Sequence, residues 1–291
     1  MNKLISRIED KREDRYSNLK QILQKNWYKI LGLTLLLTGL FAVNFIDPIS
    51  SSIPSAKLIF VALIDTLLLS YIVSASSWKG WRAWGAIFLL FYGIQYMLTA
   101  MESVYLSSIL NQEATIKLLV NGAVVSATIS AALIKLFGSQ DVKPLPSNRL
   151  LMPSREWTWK IAVLGFAYLL LFILFGLVVY YPLARMIDPI GLALEQNFVD
   201  KSAAVWILPF EALRGMVWVL ITVPTILALG LDKVRTALLV GLIFSLPMLD
   251  IFLSTNIAPG LQVAHFFELL GENFLFGVLT VWILGFRSRL P

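Results

Sequence analysis

The residues of this chain best suited to chemistry are few and regularly spaced. His265, Glu268 and Glu272 follow i, i+3 and i+7, which puts them on one stripe of a helix. Gln95, Thr99 and Glu102 keep the same kind of spacing, and Glu211 and Arg214 are i, i+3 neighbours able to pair without a second helix. Asn121, Asp250 and Asp65 complete the polar set. Carboxylates of this kind bind a cation or a proton, or serve as acid and base where burial separates their proton affinities. Arg214 can meet an anionic group. His265 with Glu268 can share a divalent metal ion, although capping of a polar network explains the same histidine. Glu211 is the expected counter-charge of Arg214, and the plainest role for that pair is to lock its helix to its neighbours.

The elements that must carry these groups are membrane helices. Hydrophobic residues make up 58% and charged residues 14% of the 291, against roughly a quarter charged in an ordinary soluble domain. Apolar runs long enough to cross hydrocarbon fall at 27–46, 57–76, 82–107, 115–137, 157–181, 205–229, 236–254 and 262–286. The expected architecture is therefore all-α, a polytopic bundle of about eight transmembrane helices. Lysine and arginine are retained on the cytoplasmic side of short loops. With both termini cytoplasmic, the outer loops hold only Lys57, Lys117, Arg185 and Lys201 of the 24 basic residues, and Arg214 lies within a span.

Other functional classes are excluded or left without support. The net charge of +6 reports orientation and attraction to anionic lipid headgroups. No basic soluble face exists to bind nucleic acid. Cysteine is absent, so neither a disulfide framework nor a thiolate nucleophile is available. No glycine loop for nucleotide phosphates occurs, and a single histidine rules out a histidine-rich zinc site. No cofactor is expected beyond the metal ion that His265 and Glu268 would share. Residues 1–26 are charged throughout and read as a basic or amphipathic segment along the inner headgroups, not as a secretory signal.

A proline-rich linker at 138–156 divides the chain into a first four-helix half, 27–137, and a second, 157–291. Each half opens with an aromatic and lysine border, NWYKI at 26–30 and EWTWKI at 156–161, and IDPI recurs at 46–49 and 187–190. Polar residues also correspond: Asp65 with Glu211, Glu102 with Asp250, and Asn121 with Glu268. Four crossings return the chain to its starting side, so a duplication would be a parallel 4+4 repeat. At 1.5 Å per residue the ionisable groups fall in the outer half of the bilayer, with Glu272 and Asp65 near the middle. Charges at that depth mark a working region, because each must face a cavity or a partner. Pro209, Gly215, Pro224 and Pro247 sit near them and can bend the helices around a pocket.

The segments IQYMLTAMESVYL at 94–106, PFEALRGMVW at 209–218 and AHFFELLGENFLFG at 264–277 resemble stretches of uncharacterised bacterial multi-pass inner-membrane proteins. The resemblance implies the bacterial cytoplasmic membrane and supplies no activity. The residues themselves point first to a transporter or permease-like protein, with Glu102, Glu211, Arg214, His265, Glu268 and Glu272 lining a pocket for a small solute or ion. The alternatives are an intramembrane enzyme acting on a lipid or lipid-linked substrate, with Glu268 or Glu272 as base, and an assembly or sensor subunit whose charges meet a protein partner or a second copy.

Overall fold

A computed structural model of the protein describes residues 26–44, 55–101, 112–138, 153–198, 201–253 and 258–285. The first half contributes α1 (Trp27–Asn44), α2 (Ser55–Ala75), α3 (Gly80–Tyr92) and α4 (Gln112–Phe137). The second contributes α5 (Ser154–Phe175), the short α6 (Tyr181–Ile187) and α7 (Pro189–Phe198), then α8 (Lys201–Ala228), α9 (Lys233–Phe244) and α10 (Pro259–Leu284). Most of the N-terminal segment and of the proline-rich linker lies outside the described residues, as do Glu102 and the chain beyond Gly285.

Six helical stretches are long and apolar enough to cross a membrane: 56–75, 80–101, 112–137, 154–187, 206–228 and 259–284. The chain is thus an all-helical membrane protein. Two of the eight expected spans have another form. The first is a shorter apolar helix, Trp27–Val43. The seventh is α-helical only to Phe244 and continues as a 3-10 helix from Leu246 to Leu253. Pro247 explains the change, since it has no N–H to donate and its ring crowds the carbonyl four residues earlier. Pro209 and Pro224, by contrast, are accommodated inside α8.

Two spans also contain a π-helical turn, Gly93–Met97 after α3 and Gly176–Tyr180 after α5. Through the second of these, α5 runs on into α6, so the fifth span is helical for 34 residues. At 1.5 Å per residue this is about 51 Å, well beyond a hydrocarbon core of about 30 Å. The sequence alone suggested an end near 181. The helix in fact stops at Asp188, where the following proline disfavours helical geometry and the Asp188 carboxylate accepts the amide of Gly191 at 2.9 Å. The chain then folds back, and Ala184 and Leu192 pack on Leu261 and Ala264 at the start of α10.

Packing follows one scheme in each half. In the first, α1 packs on α2 and α4, and α3 packs on α4; in the second, α5 packs on α8 and α10, and α9 packs on α10. The halves meet where α3 lies on α8 and where the 3-10 segment lies on α2. The connections after α2 and α8 are joined by backbone hydrogen bonds, Ser77 N–H to the Ala228 carbonyl at 2.7 Å and Gly230 N–H to the Ala75 carbonyl at 3.0 Å. Gly80 opens α3 at φ 58°, a left-handed value that glycine tolerates without cost from a side chain.

A lysine closes each half. Lys29 of α1 donates to the Leu136 carbonyl at 3.2 Å, and Lys160 of α5 donates to the Leu284 carbonyl at 3.1 Å. Both acceptors belong to the last turn of a helix, where carbonyls lack partners and the helix dipole favours a cation. Lys160 is fully buried and also pairs with Glu156 at 2.8 Å.

The exterior is apolar, with Val120, Phe166, Leu170, Leu177 and Leu238 exposed. Such a surface suits lipid as the solvent. Trp27, Tyr28, Trp81, Trp159 and Trp282 are exposed near the lysine-bearing end, and the Lys233 ammonium sits 4.3 Å from the Trp282 ring. This combination of aromatic rings and cations is the usual dressing of a membrane interface.

Candidate functional site

Three helices of the second half bring the ionisable groups together. α5 packs against both α8 and α10 and forms the wall they share. Its close fit to α8 depends on glycine: a Cβ on Gly215 would fall 2.5 Å from the Cβ of Tyr168. On the other side the π turn begins at Gly176, where an added Cβ would lie 3.5 Å from Glu268 Oε1. π turns inserted in α-helices are frequent at functional sites.

On α8, Glu211 and Arg214 are both buried, and Arg214 Nη1 donates to Glu211 Oε2 at 3.4 Å. The pair expected from the i, i+3 spacing is thus present. On α10, His265 Nδ1 lies 3.0 Å from Glu268 Oε2. The imidazole is partly exposed and stacks on Tyr180 of the π turn, with ring centroids 4.2 Å apart. One turn further along the stripe, Glu272 has 0% exposure. Arg214 and Glu211 from α8, Glu268 from its own helix and the Tyr168 phenol from α5 all act on it.

Below the charges the same two stripes turn aromatic. Tyr168 packs on Phe276 at 4.8 Å, Phe276 on Phe244 at 5.5 Å, and Phe244 on Trp218 at 4.5 Å. Trp218 and Phe276 are each four residues beyond a charged member of their helix, Arg214 and Glu272. The site is therefore a polar layer resting on an aromatic floor, with the π turn and His265 at its opposite end.

Other residues singled out from the sequence sit elsewhere. Asp65 is fully buried in α2, and it is not among the charges that act on Glu272. Gln95 is buried in the π turn after α3. Asn121 is half-buried on α4, beside the Gly122 face covered by the Tyr96 ring. Asp250 falls in the 3-10 segment, and its side chain, like all of Glu102, is outside the described residues. Among the described residues no group of three or more His, Asp and Glu is placed to hold a metal ion. His265 and Glu268 face each other at hydrogen-bonding distance, so an ion between them would have to part them.

Tyr168, Gly176, Tyr180 and Trp218 were not singled out from the sequence. Tyr168 and Tyr180 do interrupt the apolar run of the fifth span with polar tips, and Trp218 continues the Glu211 and Arg214 stripe at i+7. What they touch depends on which helices become neighbours. No family model, curated protein or solved structure matches this chain.

Proposed function

We propose that the protein is a transporter or permease-like solute-binding protein of the cytoplasmic membrane. The carrying observation is the convergence of Glu211, Arg214, Glu268 and Glu272, all buried, from two helices that share α5 as a wall. Structural ion pairing accounts for Glu211 with Arg214 and for His265 with Glu268, and leaves Glu272 outside both pairs. A buried carboxyl that no packing need explains is the mark of a solute or ion path in a membrane protein. In this reading Arg214 recognises an anionic group of the solute and the carboxyls carry the coupling ion. The chain crosses eight times with both ends cytoplasmic, so the site opens toward the outside.

The two halves are further read as a parallel repeat. The shared packing scheme, the lysine that closes each half and the backbone bridge between matching connections support it. α4 and α10 each have 26 residues, and Asn121 and Glu268 occupy the same position from their starts. Asp65 and Glu211 fit less well, because measured from the helix ends at Ala75 and Ala228 they differ in depth by about two turns.

The test is uptake by proteoliposomes, with solutes chosen from a panel by their thermal stabilisation of the purified protein. Uptake is expected to fall at least tenfold in Glu272→Gln and Arg214→Ala. Equal uptake by both variants and the parent would refute the assignment. The partly exposed His265 and its Glu268 partner favour one further reading, an enzyme acting on a lipid headgroup. Product formation from membrane lipids that is lost in His265→Ala would select it.

A further inference from the structure

We infer that the coupling ion of this site is the proton and that Glu272 carries it. The inference rests on the transporter reading for its physiological use, but its physical basis is separate. Four of the five ionisable groups are accounted for in two pairs, Arg214 with Glu211 and His265 with Glu268. Glu272 is the fifth. It is fully enclosed, and the hydrogen-bonding group that acts on it, the Tyr168 phenol, is neutral.

The charges around it do not balance an additional anion. Arg214 is the cation that acts on Glu272, and it is already engaged by Glu211; Glu211 and Glu268 are carboxyls, and Tyr168 is a phenol. An ionised carboxylate whose charge is not balanced in such surroundings is very costly. A counter-charge is therefore required.

The candidates differ in what they ask of the site. A hard metal cation collects about six oxygen ligands, whereas Glu211 and Glu268 are each turned to a partner on their own helix. An organic ammonium needs open volume, whereas the Tyr168 and Phe276 rings are packed at 4.8 Å immediately beyond Glu272. A proton needs one oxygen and no space. Protonation forms one O–H bond on Glu272 and removes one negative charge, and release returns that proton to water. Alternation between these two states, with Arg214 close enough to stabilise the ionised one, is the chemistry a proton-coupled carrier requires.

The probe is the proton itself. Infrared spectra of the full chain in liposomes are recorded from acid to alkaline pH, in water and in heavy water. A carbonyl stretch of protonated, water-shielded carboxyl is expected, diminished by one carboxyl per chain in Glu272→Gln and unchanged in Glu268→Gln and Glu211→Gln, with Asp65→Asn identifying the share of the other fully buried acid. Glu272→Asp keeps a carboxyl and should shift the band without removing it, which covers a Gln variant that fails to fold. Absence of the band from the parent protein, or an undiminished band in Glu272→Gln, would overturn the inference. If the band behaves as expected while no proteoliposome takes up solute, the proton site stands and the transporter reading falls. If uptake depends on Arg214 but the band is missing, the transporter reading stands with a different coupling ion.

Discussion

Removing the guanidinium of Arg214 should be among the most damaging single changes in the membrane interior, and removing its partner as well should undo most of the damage. Arg214 Nη1 and Glu211 Oε2 are 3.4 Å apart with both residues buried. At that separation an effective dielectric constant of 20 gives a Coulomb attraction of about 5 kcal/mol. Desolvation offsets much of it, so replacing both members by neutral residues of similar size costs little. Breaking the pair from one side is different. Arg214→Met leaves Glu211, Glu268 and Glu272 in one buried region without their guanidinium, and the expected loss is about 3–5 kcal/mol. In Arg214→Met with Glu211→Gln the loss should shrink to about 1 kcal/mol, a coupling of at least 2 kcal/mol.

Unfolding in mixed detergent micelles, followed by tryptophan fluorescence, measures all four members of this cycle. Trp218 lies one turn beyond Arg214 on the same helix face and is buried, so of the nine tryptophans it is the one whose signal, taken as the part lost in Trp218→Phe, reports the unfolding of the site itself. A coupling below about 0.5 kcal/mol, the range of independent sites, would refute the pairing and with it the charge accounting that isolates Glu272.

Four further outcomes follow from particular contacts. Lys160→Met removes a buried ammonium from both the Leu284 carbonyl and Glu156 and should cost about 2–3 kcal/mol in the same assay. Lys29→Met, at the corresponding but more open contact with Leu136, should cost about 1 kcal/mol. Gly215→Ala drives a methyl group against the Cβ of Tyr168 and should destabilise by about 1–3 kcal/mol, read as a shift in unfolding midpoint. His265→Phe keeps an aromatic ring against Tyr180 but removes the partner of the buried Glu268; stability should fall by about 1–3 kcal/mol, and in the transporter reading proposed above uptake by proteoliposomes falls with it.

The helices themselves were legible because the hydrophobic effect writes its requirement locally: a run of about 20 apolar residues must be a span wherever it is placed. Six of the expected spans have that form. The seventh departs because a run of apolar side chains does not say whether the backbone can stay α-helical, and Pro247 ends the α-helix without altering hydropathy. The fifth departs for the opposite reason. Its side chains looked sufficient by Tyr181, yet the backbone stays helical until Asp188 and Pro189, where the geometry finally forbids it.

Short-range chemistry was equally readable. Glu211 with Arg214 and His265 with Glu268 are pairs three residues apart on one helix, a separation that the helical repeat alone brings into contact. The lysine borders NWYKI and EWTWKI were visible as a pattern, but their purpose was not. Lys29 and Lys160 reach carbonyls 107 and 124 residues away, and no local rule links such positions.

By itself, then, the amino-acid sequence determined that this is a membrane helix bundle, which residues would be costly to bury, and which of them could neutralise one another within a single helix. The tertiary structure decided the rest. It set α5 between α8 and α10, closed the aromatic floor of Tyr168, Phe276, Phe244 and Trp218, and left Glu272 enclosed beside groups already engaged elsewhere. The reason is that helical periodicity assigns a side chain to a face, whereas the identity of the neighbour across that face depends on how whole helices pack, through close approaches such as the one Gly215 permits.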